Sequence, residues 1–138
     1  MRTLHLSAEH FKDTDEGREY CGPEDLSDFD GHVEIDAGLG VVVFGAIRIS
    51  GFLSAGAGTG IEAGEGIEAG TGIEAGGGID AGGGIKAGGG IGCGGVLKFN
   101  YRLFAGTSPY VSDPDSTVRC KRLEGGTLAY GELIEGGK

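Results

Sequence analysis

Six residues, repeated without a slip from Ile61 to Val96, constrain this chain more than any other feature. Ile61, Ile67, Ile73, Ile79, Ile85 and Ile91 each lead a hexad. In most of these a charged residue, an alanine and a Gly-x-Gly run follow. The frame carries on through Leu97 and Leu103 to Ser108, where Leu103-Phe104-Ala105-Gly106 restores the motif. An upstream set led by Ile35, Val41, Ile47 and Leu53 is offset from it by two residues, assigned to Thr59-Gly60. Twelve hexads result, spanning residues 35–108. A fixed short period of this kind is the signature of a repeat architecture whose units bury their apolar faces only by stacking.

The physics of one hexad follows from the pleat. In Ile61-Glu62-Ala63 a period of two sends Ile61 and Ala63 to one face and Glu62 to the other. The glycines behind them supply a corner. A three-residue strand cannot bury its isoleucine alone, but stacked coils about 4.8 Å apart bury a continuous ladder. On these residues the chain resembles the hexapeptide-repeat, left-handed parallel β-helix proteins, over about half its length. The resemblance implies an all-β fold with triangular coils of three hexads, about four coils in all, and it implies assembly as a homo-oligomer, commonly a trimer. One departure is plain. That family places its small inward residue two positions before the aliphatic one, where this chain has Thr59, Glu65 and Thr71.

Outward charges discriminate between coil sizes. With three hexads per coil, one outward column reads Arg48, Glu68, Lys86, Phe104, alternating in sign. The others read Val42, Glu62, Asp80, Lys98 and Asp36, Ser54, Glu74, Gly92. Two hexads per coil would instead stack Glu62 on Glu74 and Lys86 on Lys98, which is unfavourable at strand spacing. Triangular coils are therefore expected. Inward slots hold alanine through the middle and larger residues towards the ends, with Val43 and Ile49 early and Phe99 late.

The flanks divide the chain into an acidic N-terminal segment (1–34), the repeat (35–108) and a C-terminal β segment (109–138), together one domain. Residues 1–36 carry eleven acidic and three basic side chains, a net of −8 out of −10 for the whole chain. Thr3–Leu6 reads as a short strand and Pro23–Phe29 as the opening of a short helix. Ser112–Asp115 reads as a loop, and Thr117–Leu123 and Thr127–Ile134 as a hairpin about Gly125-Gly126. No apolar run approaches a membrane span and the N-terminus has no apolar leader core, so a cytoplasmic protein is expected. Three cysteines, Cys21, Cys93 and Cys120, form no pairing motif and suit free thiols.

Catalytic and metal chemistry find little purchase. Acyltransferases that resemble this fold use a histidine on the coils as general base, whereas His5, His10 and His32 all precede the repeat. His10, Cys21 and His32 lie eleven residues apart, not at zinc-ligand spacing. Asp28-Phe29-Asp30-Gly31 begins like a calcium loop and then lacks its ligands, so a turn with an Asx hydrogen bond explains it. No enzyme, cofactor or metal is expected.

An acidic segment repels nucleic acid and membrane surfaces and attracts basic protein surfaces. The expected function is a small acidic interaction protein that binds and blocks a macromolecular partner. Charge and size are those of phage-type inhibitors of host defence nucleases, of the anti-CRISPR or anti-restriction kind. The partner-binding residues would be Asp13, Asp15, Glu16, Glu19, Glu24, Asp25, Asp28 and Asp30. A basic group, Arg102, Arg119, Lys121 and Arg122, would meet an anion or a second subunit. Two alternatives stand beside this: a self-assembling protein similar to the bactofilin polymers, and an oligomer holding a small phosphorylated ligand at its subunit seams.

Overall fold

A computed structural model describes residues 2–15, 17–22, 24–106, 117–130 and 132–135. In chain order the strands are β1 Arg2–Leu6, β2 Phe11–Thr14, β3 Gly17–Tyr20, β4 Gly31–Ile35, β5 Gly40–Phe44 and β6 Ile47–Ile49. They continue as β7 Leu53–Ala55, β8 Thr59–Ala63, β9 Ile67–Ala69, β10 Ile73–Ala75, β11 Ile79–Ala81 and β12 Ile85–Ala87. Last come β13 Ile91–Cys93, β14 Val96–Phe104, β15 Thr117–Cys120, β16 Arg122–Tyr130 and β17 Glu132–Glu135. A single 3-10 turn, Ala8–His10, is the helical element among the described residues.

The strands wind into a parallel β-solenoid, and the hexads make about four triangular turns of it. Ile79 pairs with Ile61 below and Leu97 above, and Ile85 pairs with Ile67 and Leu103, so three hexads close one turn. Three sides result. The first stacks β1-β4-β7-β10-β13-β15-β17. The second runs β2-β3-β5-β8-β11-β14, and the third runs β6-β9-β12 and ends on the second half of β14. Side chains alternate as the pleat requires: every hexad isoleucine from Ile61 to Ile91 is at most 2% exposed, and the alanines of the same strands are buried with them. Bulk does collect at the ends of the interior, through Phe44 and Phe29 on one side and Phe99 on the other.

Glycine does a different job from the one its freedom of φ suggests. None of the hexad glycines from Gly64 to Gly95 adopts a positive φ. They are needed for close approach. A Cβ on Gly70, Gly82 or Gly94 would lie 2.1, 2.1 or 2.3 Å from a carbonyl oxygen of the turn beneath. Left-handed glycines occur instead where the regular corner fails, as at Gly38, Gly40 and Gly58.

The early hexad frame needs correction there. Val33, not Ile35, aligns with Leu53, and Val42, not Val41, aligns with Ile61. Val41 is 45% exposed and Val42 fully buried. Glu34 and Val43 therefore replace Asp36 and Val42 in the outward columns, and Phe44 replaces Val43 inside. The extra residues are taken up in a corner at Ala37–Leu39, stacked under a second at Ala57-Gly58; Gly38 and Gly40 donate to the carbonyls of Ala57 and Gly58. Thr59-Gly60 is no insertion but the start of β8. Thr59 is wholly buried, and its hydroxyl donates to the Asp36 carbonyl (2.6 Å) and accepts from the Leu39 amide (3.1 Å), locking the two corners together.

Both flanks continue the stack. At the N-terminus β1 pairs in parallel with β4, β3 with β5, and Phe29 bridges to Ile49. A short turn through Leu26, not a helix, leads to Phe29, and Asp25 rather than Asp28 makes the Asx bond, accepting from the Ser27 amide at 3.0 Å. β2 folds back antiparallel on β3, and Phe11 closes the interior edge to face against both Tyr20 and Phe44. Among the described C-terminal residues no hairpin forms. β15, β16 and β17 run parallel to the turns below, and Gly125-Gly126 lie inside β16. The reason is hydrogen-bond demand: the open edge of the last hexad turn needs partners, and a chain that keeps winding supplies them in register. The expected loop Ser112–Asp115 lies outside the described residues.

Candidate functional site

The acids of the N-terminal segment fall into two groups. On the β2–β3 hairpin, Asp13 pairs with Arg18 and Glu19 with Lys12, so these two acids each face a base. The Asp13 carboxylate lies 3.9 Å from the Arg18 guanidinium. Asp15 is exposed at the tip, and Glu16 lies outside the described residues. The second group, Asp25, Asp28 and Asp30, is exposed where the chain crosses the third side. Asp25 is held below the usual carboxylate range by hydrogen bonds from the Ser27 hydroxyl and amide. Asp30 accepts from the Ser50 hydroxyl at 2.6 Å. Glu24 is half-buried, and its carbonyl accepts the Tyr20 hydroxyl.

On the third side these acids meet the alternating column. The bridge between Phe29 and Ile49 sets Asp28 beside Arg48. Arg48 then stacks on Glu68, 3.8 Å apart, Glu68 on Lys86 and Lys86 on Phe104. Asp28, Asp30, Arg48, Ser50 and Glu68 line one shallow depression. A larger one of about 830 Å³ runs along Arg48, Glu68 and Lys86 to Tyr101, Arg102 and Phe104. Tyr101 is 77% exposed and takes a left-handed φ of 65°, a strained conformation for a bulky residue and one that collects at functional positions. Tyrosine and arginine on a flat apolar-edged groove are the residue types that dominate protein interfaces.

The basic group is not one patch. Arg119 sits on the first side, beside Gly92. Arg122 begins the second side, ion-paired to Glu124, and Lys121 occupies the corner between them. Arg102 faces the third side. The four are spread round the perimeter, so the structure brings Arg102 to Lys86 and Tyr101 but not to its three expected companions.

Tyr101, Lys86 and Arg48 were not singled out as site residues from sequence. The sequence signal for Tyr101 is that Asn100-Tyr101-Arg102 stands where other hexads have glycine at the corner, and that for Arg48 and Lys86 is the alternating outward column.

The histidines and thiols are committed locally. His5 bonds Asp36, which raises its pKa, with further Coulombic help from Asp36 and Glu34. His32 stacks on Phe52 with ring centroids 4.2 Å apart, and its Nδ1 accepts the Phe52 amide. His10 accepts the Ser7 amide. Burial pushes the Cys93 thiol up to about 11. Among the described residues no group of three or more His, Cys, Asp or Glu side chains is placed to hold a metal ion, and no helix is long and apolar enough to cross a membrane.

Fold and surface together define a parallel β-solenoid with an acidic N-terminal end. No family model, curated protein or solved structure matches this chain.

Proposed function

We propose that this is a non-catalytic interaction protein whose acidic N-terminal end captures and blocks a partner with a basic surface. One observation carries the proposal: Asp13, Asp15, Glu19 and Asp25 are all exposed on the cap of the first turn, at the end of the molecule that bears most of the net charge. Such a concentration steers a cationic surface into place and speeds its encounter. Proteins that handle nucleic acid carry that kind of surface, so inhibition of a defence nuclease fits this reading. The period of six supports a likeness to the left-handed hexapeptide-repeat proteins, read without acyltransferase chemistry and without need of a cofactor. Direct binding to nucleic acid or membranes is disfavoured by the same charge.

The alternatives draw less support. An end-to-end polymer needs a bare first turn, and the antiparallel hairpin covers one side of it. A phosphorylated ligand at a seam needs Arg102, Arg119 and Arg122 together, and they lie on different sides.

The test is quantitative affinity capture from extract of the native host, comparing the wild-type chain with one in which Asp13, Asp15, Glu16, Glu19, Glu24 and Asp25 are changed to Asn or Gln. The expected result is a captured protein that is basic, released by about 0.5 M salt as screening shortens the reach of exposed charges, and lost from the variant. Equal capture by both chains refutes the proposal.

A further inference from the structure

We infer that the third side is a self-recognition surface, on which two copies pair face to face with their solenoid axes antiparallel. The column there reads acid, base, acid, base: Asp28, Arg48, Glu68, Lys86, one residue per turn about 4.8 Å apart. A two-fold axis lying between the copies, parallel to the strands and midway between Arg48 and Glu68, reverses the order of the turns. Reversal turns acid-base-acid-base into base-acid-base-acid. Asp28 then faces Lys86 of the second copy and Arg48 faces its Glu68, and both pairs occur twice. Four of four positions are complementary, as an isologous contact demands.

The other two sides fail the same operation. On the second side reversal sets Glu62 against Asp80 of the partner copy, like charge on like. The first-side column reads His5, Glu34, Ser54, Glu74, Gly92 and Arg119, and reversal about its middle sets His5 against Arg119, Glu34 against Gly92 and Glu74 against Ser54, so no base answers either acid. Alternation stabilises a single stack whatever its length; an even ladder with opposite signs at its ends also makes the surface its own complement.

Shape agrees with charge. Gly45, Gly66, Gly70 and Gly84 flank the column, with exposed Asp30 and Glu65 beside them, and the same reversal sets Glu65 opposite Gly45 of the second copy. At the Lys86 end, exposed Tyr101 and Arg102 project at the rim. The area is modest. Five turns by one strand and its corners give about 20 Å by 20 Å, roughly 400 Å² per copy, half the usual share of a stable interface. The dimer is therefore weak, with Kd on the order of 10⁻⁵ M at low salt, and weakens roughly tenfold or more between about 0.03 and 0.3 M NaCl.

The pairing is separable from capture of a foreign partner, because the six-residue neutralised variant above leaves Asp28 and the ladder intact. Two experiments test it. Zero-length carbodiimide coupling of the wild-type protein is expected to give a dimer band containing an Asp28–Lys86 linked peptide. Within one chain these residues are three turns, about 14 Å, apart, so that link forms only between copies. Sedimentation up to about 0.5 mM then compares Asp28→Lys, Lys86→Glu and the double variant. Each single change is expected to lower the association constant at least tenfold, and the double change to restore it to within threefold. A wild-type protein that stays monomeric at this concentration, a dimer lacking the Asp28–Lys86 link, or a double variant no better than the singles overturns the inference. Thermal melts of all three variants confirm that folding is retained.

Discussion

Two glycine-to-alanine substitutions, identical on paper, are expected to act in opposite directions. Gly82 follows β11 at a corner and Gly92 is the outward residue of β13; neither has a left-handed φ. A Cβ at Gly82 would sit 2.1 Å from the Gly64 carbonyl oxygen of the turn below, whereas one at Gly92 meets nothing within 4 Å. An ordinary carbon–oxygen contact needs about 1 Å more than Gly82 offers. Supplying it means prising two turns apart where the Gly82 amide donates to the Ala63 carbonyl at 2.8 Å. Overpacking costs about 1–3 kcal/mol and a weakened hydrogen bond about 1 kcal/mol more. Gly82→Ala should therefore lose about 3 kcal/mol. Gly92→Ala should gain about 0.5 kcal/mol by narrowing the unfolded ensemble. For a chain of this length that difference corresponds to a Tm gap of roughly 10 °C or more. Urea titration followed by circular dichroism measures both, with the slope against urea checked to be unchanged. If the two variants fall within 0.5 kcal/mol of each other, the turns do not stack in the described register.

Thr59 and His5 give two further tests. Thr59→Val keeps the shape of the buried side chain and leaves the Asp36 carbonyl and Leu39 amide without their partner, at a cost of about 2 kcal/mol; Thr59→Ser should recover most of it, and a loss in Thr59→Ser with none in Thr59→Val would assign the effect to the methyl instead. His5 is expected to titrate above its ordinary value of 6.5 because Asp36 favours its charged form. Its contribution to stability is then fully present below about pH 6.5 and lost as the pH rises through the folded-state value. Proton NMR of the imidazole against pH, with and without Asp36→Asn, measures the shift; a midpoint indifferent to that substitution would rule out the Asp36 contact as its cause.

How far the sequence could carry depended on whether period or corner chemistry decided each point. From Ile47 onward through the hexads the period of six is unbroken except at the Ala57-Gly58 corner, and strand, face and three-fold closure follow from it. Upstream, Ile35-Asp36-Ala37-Gly38 imitates a hexad head, yet Val33 and Ile35 are the inward pair. Nothing in a six-residue pattern reveals a corner whose slack is stabilised by a second corner twenty residues later. The C-terminal strands were visible as strands, but their direction was not: Gly125-Gly126 reads as a turn locally, while Gly125 in fact gives passage to the Phe99 backbone, whose carbonyl a Cβ would meet at 1.9 Å. The acids of the N-terminal segment were legible as a total and not as a surface. The hairpin pairs Asp13 and Glu19 with Arg18 and Lys12, and only the bridge at Phe29 sets Asp28 beside the Arg48 column.

The stacked corners at Ala37–Leu39 and Ala57-Gly58 have a consequence for how such a chain can change its length. In the regular part only multiples of six residues keep isoleucine inside, and only whole turns of eighteen also keep each outward charge in its own column. A surplus of one or two residues survives where a neighbouring turn carries a matching surplus, because each bulge is roofed by the next and Thr59 ties them together. Insertions in this molecule are thus contagious between neighbours, and loss of one bulge would leave the other without its hydrogen-bond partners. Whole-turn changes carry a rule of their own. Removing one turn would take one rung from the ladder on the third side, leave an odd number, and end its match to itself.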